Sequence, residues 1–191
     1  MRGTTHQIDR PFPFKLVWKV DIPMKVKFFL WTLVLDRTLT TDNLRRRGTM
    51  IHPVCCMCES INESIPHLLM HCSMALRVWK SLTRVKPEIY GILIEAPKVE
   101  DLLERWTQGS NQELSRKVWR FLPYATLWTL WKTRNNKLFK RVEATEERIC
   151  KEIKWTVWYW CASWKRRKKY NFQSFMEDWE GVLSGLVGPC D

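Results

Sequence analysis

The chain has 191 residues, 45% of them apolar, which is enough for one ordinary domain or two small ones with a real core. No run of about 18 apolar residues occurs, and the polar stretch from Met1 to Phe14 lacks the apolar segment of a signal peptide, so a transmembrane segment and a secreted disulfide scaffold are set aside. The chain is expected to be intracellular, nuclear or cytoplasmic, and its formal net charge of +12 favours a polyanionic partner, of which nucleic acid is the commonest in a cell.

Residues 1–14 read as a polar, Pro-interrupted N-terminal tail. After Pro23 the apolar residues Val26, Phe29, Leu30 and Leu33 recur at helical spacing. Thr40 or Thr41 can cap a short helix through Asp42, Leu44 and Arg47, which Gly48 would end in a left-handed conformation. From Ser64 a third helical stretch, as one helix or two, carries Leu68, Leu69, Ala75, Val78 and Trp79, with Ser64 or Ser73 as caps. Between Pro87 and Pro97 the pattern loosens, and Gly91, Pro97 and Gly109-Ser110-Asn111 read as connecting loops. Helical stripes return with Leu114, Val118, Phe121 and Leu122, and Pro123 is expected to kink or restart the helix before Trp128, Leu130, Trp131 and Leu138. Thr145 followed by Glu146 and Glu147 is a helix start, after which Ile149, Ile153, Val157, Trp160, Cys161 and Trp164 continue at steps of three and four. The expected fold is mainly α, a small helical domain, stapled through its cluster of cysteines, followed by a Trp-rich helical region. Its divisions are a tail over 1–14, the cysteine-bearing domain over 15–90, a linker over 91–112, the Trp-rich region over 113–170 and a C-terminal tail over 171–191.

Four of the seven cysteines fall between Cys55 and Cys72. Cys55 and Cys58 are two residues apart, His67 follows after eight more, and Cys72 after a further four. Two thiolates of one tight turn can face one ion, and Zn²⁺ takes four S or N ligands in a tetrahedron. With all four positions closed by protein atoms the site is structural, contributing roughly 10 to 16 kcal/mol of apparent binding energy. On an unbroken helix His67 and Cys72 would diverge by about 140°. A break near Cys72 would remove that conflict, and Cys56, His52 and His71 lie close enough in sequence to compete as ligands.

Trp18, Pro23, Lys25, Phe29, Trp31, Leu39, Thr40, Leu44 and Arg47, followed by Cys55, Cys58, Glu63, His67, Leu68, Cys72, Ala75, Val78 and Trp79, together resemble the reverse transcriptase zinc-binding domain of plant LINE-type retrotransposons. The likeness covers roughly residues 10–85. It implies a structural zinc held by Cys55, Cys58, His67 and Cys72, with the aromatic residues packed around it. Trp128, Trp131, Arg134, Asn135 and Phe139 are similar to the tryptophan-rich segment that often follows that domain. Two departures stand out: Glu59 occupies a position often held by Gly, and Pro66 precedes His67 where a helix former is usual.

No catalytic motif accompanies the cysteines. Tyr-x-Asp-Asp is absent, the aspartates Asp21, Asp36, Asp42, Asp101, Asp178 and Asp191 are scattered, and neither a Gly-rich phosphate loop nor a His-Glu-x-x-His motif occurs. The chain is therefore expected not to be an enzyme. Phosphate contacts are assigned to Arg45, Arg46 and Arg47 and to Lys165, Arg166, Arg167, Lys168 and Lys169, the second run having also the composition of a nuclear localisation signal. Trp155, Trp158, Tyr159, Trp160 and Trp164 exceed what one buried stripe needs, and an exposed aromatic beside cations is how single strands are stacked. The expected function is a non-catalytic structural-zinc module binding RNA or single-stranded DNA. The competing expectation is a protein-interaction or structural remnant without nucleic acid.

Overall fold

Pro23, with φ near that of a first helical turn, leads into the first long amphipathic stretch, and the same alternation of Pro or polar starts with apolar stripes generates the rest of a helical chain. The structure is a computed structural model describing residues 12–189, and it bears out the mainly α expectation. Residues 1–11, most of the expected tail, and Cys190 lie outside the described residues. The helices are α1 (Phe14–Trp18), α2 (Met24–Val34), α3 (Thr41–Arg46), α4 (Ser73–Leu82), α5 (Glu88–Glu95), α6 (Val99–Glu104), α7 (Glu113–Lys140), α8 (Glu146–Trp160), α9 (Phe172–Glu177) and α10 (Trp179–Ser184). Among the described residues the β pairing is a lone antiparallel bridge between Val54 and Asn62.

The stripe read from the sequence is the buried face of α2: Val26, Phe29, Leu30 and Leu33. Helix α7 is the spine, packing lengthwise on α8 and touching α2, α10 and the turn that precedes α4. One continuous core runs from Leu68, Leu69 and Val78 through Leu122 and Leu127 to Ile153 and Val157. Thr145 caps α8 by accepting from the Arg148 N–H, and Gly48 takes φ +85° just beyond α3. Trp160 is buried in this core, while Trp128, Trp131 and Trp164 are half-buried against it.

Three local expectations change. The stretch over 91–112 holds the end of α5 and all of α6, with Ile89, Leu93, Leu102 and Leu103 buried, because burial of these side chains outweighs the breaking tendency of Gly91 and Pro97. Residues 171–191 include α9 and α10, anchored by buried Phe175, Trp179, Val182 and Leu183. Pro123 neither ends nor restarts α7, which continues from Glu113 to Lys140. A proline lacks the N–H that would bond the carbonyl four residues back. That carbonyl, on Trp119, instead accepts from the Trp106 indole N–H at 2.9 Å.

Candidate metal centre and nucleic-acid surface

Cys55 to Cys58 form the tip of a small hairpin. The Cys55 N–H donates to Ile61 O at 2.8 Å, the Glu63 N–H to Pro53 O at 2.8 Å, and the Glu59 N–H to Cys55 O at 2.8 Å. The turn closes through Glu59 at φ +56°, a left-handed conformation that Gly adopts at little cost. Glu59 thus stands where the backbone itself would suit glycine. The other two residues come from a wide helical turn. Ser64 caps it by accepting from the His67 N–H at 3.2 Å, and Pro66 sits in its first turn, where the missing N–H is harmless.

From His67 to His71 the backbone then widens to the π form, and the Cys72 N–H bonds His67 O at 2.6 Å across five residues. An α-helix would have separated His67 from Cys72, but this turn brings them together. Cys72 is extended and serves as N-cap of α4, so the break falls at Cys72 itself and Ser73 is the first helical residue, not the cap.

One ligand atom from each of Cys55, Cys58, His67 and Cys72 lies within 4.8 Å of the others, and Cys58 Sγ is 3.3 Å from His67 Nε2. Cys55, His67 and Cys72 are buried and Cys58 half-buried. The rivals point elsewhere: His52 is exposed, His71 Nε2 donates to Leu93 O at 3.0 Å, and the Cys56 thiol faces Arg134 O at 3.9 Å.

Two of the three thiols, Cys58 and Cys72, are drawn toward the thiolate form. The Cys72 thiol is held below its ordinary pKa first by the hydrogen bond from Cys55 and then, against burial, by the N–H groups of Ala75 and Met74 at the start of α4. Burial opposes ionisation of Cys58, yet the N–H groups of Ile61 and Ser60 and the His67 imidazole together bring its pKa down. The Cys55 thiol, donating to Cys72 and buried, is pushed up to about 12. The His67 imidazole is raised, chiefly by its hydrogen bond with Cys55. Proton and thiolate are thus held side by side on donors that a divalent cation would bind together.

Beside the cluster lies a brace that residue-by-residue reading of the sequence missed. Arg134 of α7 donates from Nη2 to Glu63 Oε1 at 2.6 Å and from Nε to Glu63 Oε2 at 3.1 Å, and both side chains are essentially sealed from solvent at 1% and 0% exposure. Glu63 Oε1 also accepts from the Thr41 N–H at 2.8 Å, at the start of α3. Both residues stood in the two resemblance patterns, but nothing in either pattern paired them. Lys137, one turn further along α7, bonds Glu59 Oε1 at 2.8 Å.

The two basic runs behave unequally. Arg46 pairs with Asp36 at 3.1 Å and Asp42 at 3.5 Å, and Arg47 donates to Arg37 O at 3.3 Å, while Arg45 is exposed. In the second run Arg166 pairs with Glu113 at 2.8 Å and Arg167 lies over the Trp158 ring at 5.0 Å. Lys165, Lys168 and Lys169 are exposed. The runs rest on different partners, and no bond between them is recorded among the described residues. Trp155 and Tyr159, 53% and 58% exposed, stack in parallel on the outer face of α8 with centroids 5.5 Å apart.

Comparison with known proteins bears out the resemblance. The sequence model of a family described as zinc-binding in reverse transcriptase matches residues 2–79. A protein of Arabidopsis thaliana named "Putative ribonuclease H protein" is 26% identical over 162 residues, covering 81% of this chain and 25% of that protein. The chain thus spans about a quarter of the length of this relative. No solved structure matches it.

Proposed function

We propose, for a chain whose residues 2–79 carry the zinc-binding segment of reverse transcriptases, a non-catalytic role: a structural-zinc module of a retroelement that holds RNA or single-stranded DNA. The convergence of Cys55, Cys58, His67 and Cys72 carries the metal part. Tetrahedral zinc with bonds of about 2.3 Å to sulfur and 2.0–2.1 Å to nitrogen separates its ligand atoms by roughly 3.6–3.8 Å, a spacing that four donors gathered within 4.8 Å can reach with small side-chain movements. Three thiols and one imidazole suit zinc better than magnesium or calcium, which take oxygen. The ion would neutralise the charge of the thiolates and fasten the hairpin to the π turn. Four protein ligands would leave no open position for water, so the centre is structural.

Nucleic-acid binding is supported by the net charge of +12, by exposed Arg45, Lys165, Lys168 and Lys169, and by the open Trp155–Tyr159 stack. Absence of catalysis is supported by the carboxylates: Asp36 and Asp42 both pair with Arg46, and the one group of three or more metal-binding side chains gathered among the described residues is the Cys₃His cluster. On this reading the chain works in the nucleus or cytoplasm. Among the described residues no helix is long and apolar enough to cross a membrane.

The test is metal analysis of the purified chain followed by fluorescence anisotropy with a labelled single-stranded RNA. One zinc per chain is expected, with affinity falling about 10- to 100-fold between 50 and 200 mM salt as several phosphate contacts are screened. Affinity that stays flat with salt would refute the phosphate mechanism. Magnesium-dependent strand cleavage, lost on changing one carboxylate, would refute the non-catalytic reading.

A second reading has its own observation. Met24, Phe28, Trp31 and Leu35 form an exposed apolar stripe along α2, opposite its buried face. Such a stripe suits a protein partner, and a partner retained after nuclease treatment, with no nucleic acid bound, would favour that reading.

A further inference from the structure

The segment between α6 and α7 lies against the first half of α7 and lines a cavity of about 450 Å³ with it. Its walls are apolar and aromatic, with Val20, Leu103, Trp106, Trp119, Pro123 and Tyr124 on them. Thr107, Gln108 and Gly109 of the segment and Arg116 and Arg120, one turn apart on α7, complete the lining, and the two arginines are exposed to solvent. No Asp or Glu lines the cavity. Glu113, the carboxylate one turn before Arg116, is engaged by Arg166 and the Trp164 indole, and Arg120 donates only to Lys19 O at 3.3 Å among the described residues.

The cavity is shaped in advance. Trp106 is fixed by its bond to Trp119 O, and it lies against both Trp79 and Trp119 with centroids 5.6 and 5.8 Å away. Gly109 passes so close to Trp119 that an added Cβ would lie 2.2 Å from the indole, so the segment can take this path only with glycine there. Lys86 secures the same segment, bonding Gln108 O and, at 3.3 Å, Thr107 Oγ1, and its ammonium sits 4.7 Å over the Trp119 ring. Inside, Tyr124 is only 6% exposed, and it lines the cavity beside Pro123 and Arg120.

We infer that this cavity is a base-binding site for single-stranded nucleic acid: one flat base enters against Trp106 and Pro123, the Tyr124 hydroxyl meets its polar edge, and Arg116 and Arg120 hold the flanking phosphates. The inference rests on the nucleic-acid reading above and gives it a location that neither basic run provides. A volume of this order suits a small flat ligand, aromatic walls favour a π-face, and two adjacent guanidinium groups without a carboxylate between them favour phosphate. A peptide of acidic residues alone would use the arginines but has no group for the aromatic wall.

The test uses the zinc-loaded full chain, a fluorescein-labelled 12-mer of uridines, and the same strand carrying 5-iodouracil for photocrosslinking. Arg116→Gln/Arg120→Gln should weaken binding about tenfold or more and lower the log–log salt slope by about 1.4, since each phosphate contact on a single strand contributes about 0.7. Zinc content and circular dichroism should be unchanged, both side chains being exposed. The crosslink should map to the peptides holding Trp106 or Tyr124. Undiminished binding by this variant, with loss in Lys165→Gln/Lys168→Gln/Lys169→Gln, would overturn the cavity and leave the nucleic-acid reading standing. Failure of the unmodified chain to bind any strand would sink both. Displacement of the strand by an equimolar hexaglutamate peptide would overturn the choice of ligand.

Discussion

Glu63 and Arg134, 71 positions apart, form a two-pronged ion pair that is closed to solvent and ties the end of the cysteine hairpin to the last turns of α7. The pair is complete: one carboxylate oxygen also takes the Thr41 N–H, and Arg134 Nη1 donates to Asn135 Oδ1 at 2.9 Å while its guanidinium lies 5.1 Å from the Trp131 ring. A buried pair of this kind adds little over a well-packed apolar pair, but breaking one side strands a charge in the core. Arg134→Met should therefore destabilise the protein by about 3–5 kcal/mol in urea unfolding. Glu63→Leu/Arg134→Met should recover part of that loss, the remainder reflecting the Thr41 N–H left without an acceptor. Equal stability of Arg134→Met and the unmodified chain would show that the pair holds nothing together.

The metal assignment separates four residues from three neighbours of the same chemistry. Cys58→Ser and His67→Ala should each lose bound zinc and part of the helical signal, whereas Cys56→Ser and His71→Ala should keep one zinc per chain, because their side chains are turned to Arg134 O and Leu93 O. Since thiols and imidazole must shed protons to bind the ion, zinc affinity should fall steeply as pH drops from 7.5 to 5.5. Zinc affinity that is the same at pH 5.5 as at 7.5, or loss of the metal in Cys56→Ser, would require a different ligand set.

What could be read from the sequence was whatever rests on periodicity and short spacing. The face of α2, the Thr145 cap and the cysteine-histidine constellation are local patterns. What could not be read depends on partners far along the chain. Gly91 and Pro97 look like loop signals, and only the burial of Ile89, Leu93 and Leu102 makes helices of their surroundings. The π turn that aligns His67 with Cys72 adds one residue to a helical turn, a change that no spacing rule anticipates. Glu63 and Arg134 were each visible as members of a pattern, but pairing them required the fold.

Pro123 shows how a distant residue can remove a local fault. Its missing N–H would leave Trp119 O without a partner in the buried part of α7, and the Trp106 indole supplies the bond. Trp106→Phe keeps most of the ring but deletes the donor, and should cost about 1–3 kcal/mol, the penalty for a buried carbonyl left unsatisfied. In the Pro123→Ala background the backbone N–H returns, so the same Trp106→Phe change should cost measurably less. If the two backgrounds lose the same amount, the indole contributes packing alone and the carbonyl is satisfied in another way.

Glu59 sets a backbone demand against a side-chain contact. Its φ of +56° costs an L-residue energy that glycine avoids, while its carboxylate bonds Lys137 at the surface, where ion pairs add little. Lys137 keeps a second carboxylate, Glu143, at 3.3 Å, so removal of Glu59 does not strand it. The backbone effect should win: Glu59→Gly is expected to raise the thermal midpoint of the zinc-loaded protein by about 2–4 °C, the shift that a change of order 1 kcal/mol produces in a chain of this size. Glu59→Ala loses the same contact but keeps the left-handed cost, and its midpoint should not rise. Should glycine and alanine fall together, the ion pair with Lys137, and not the turn, is what position 59 contributes to the hairpin.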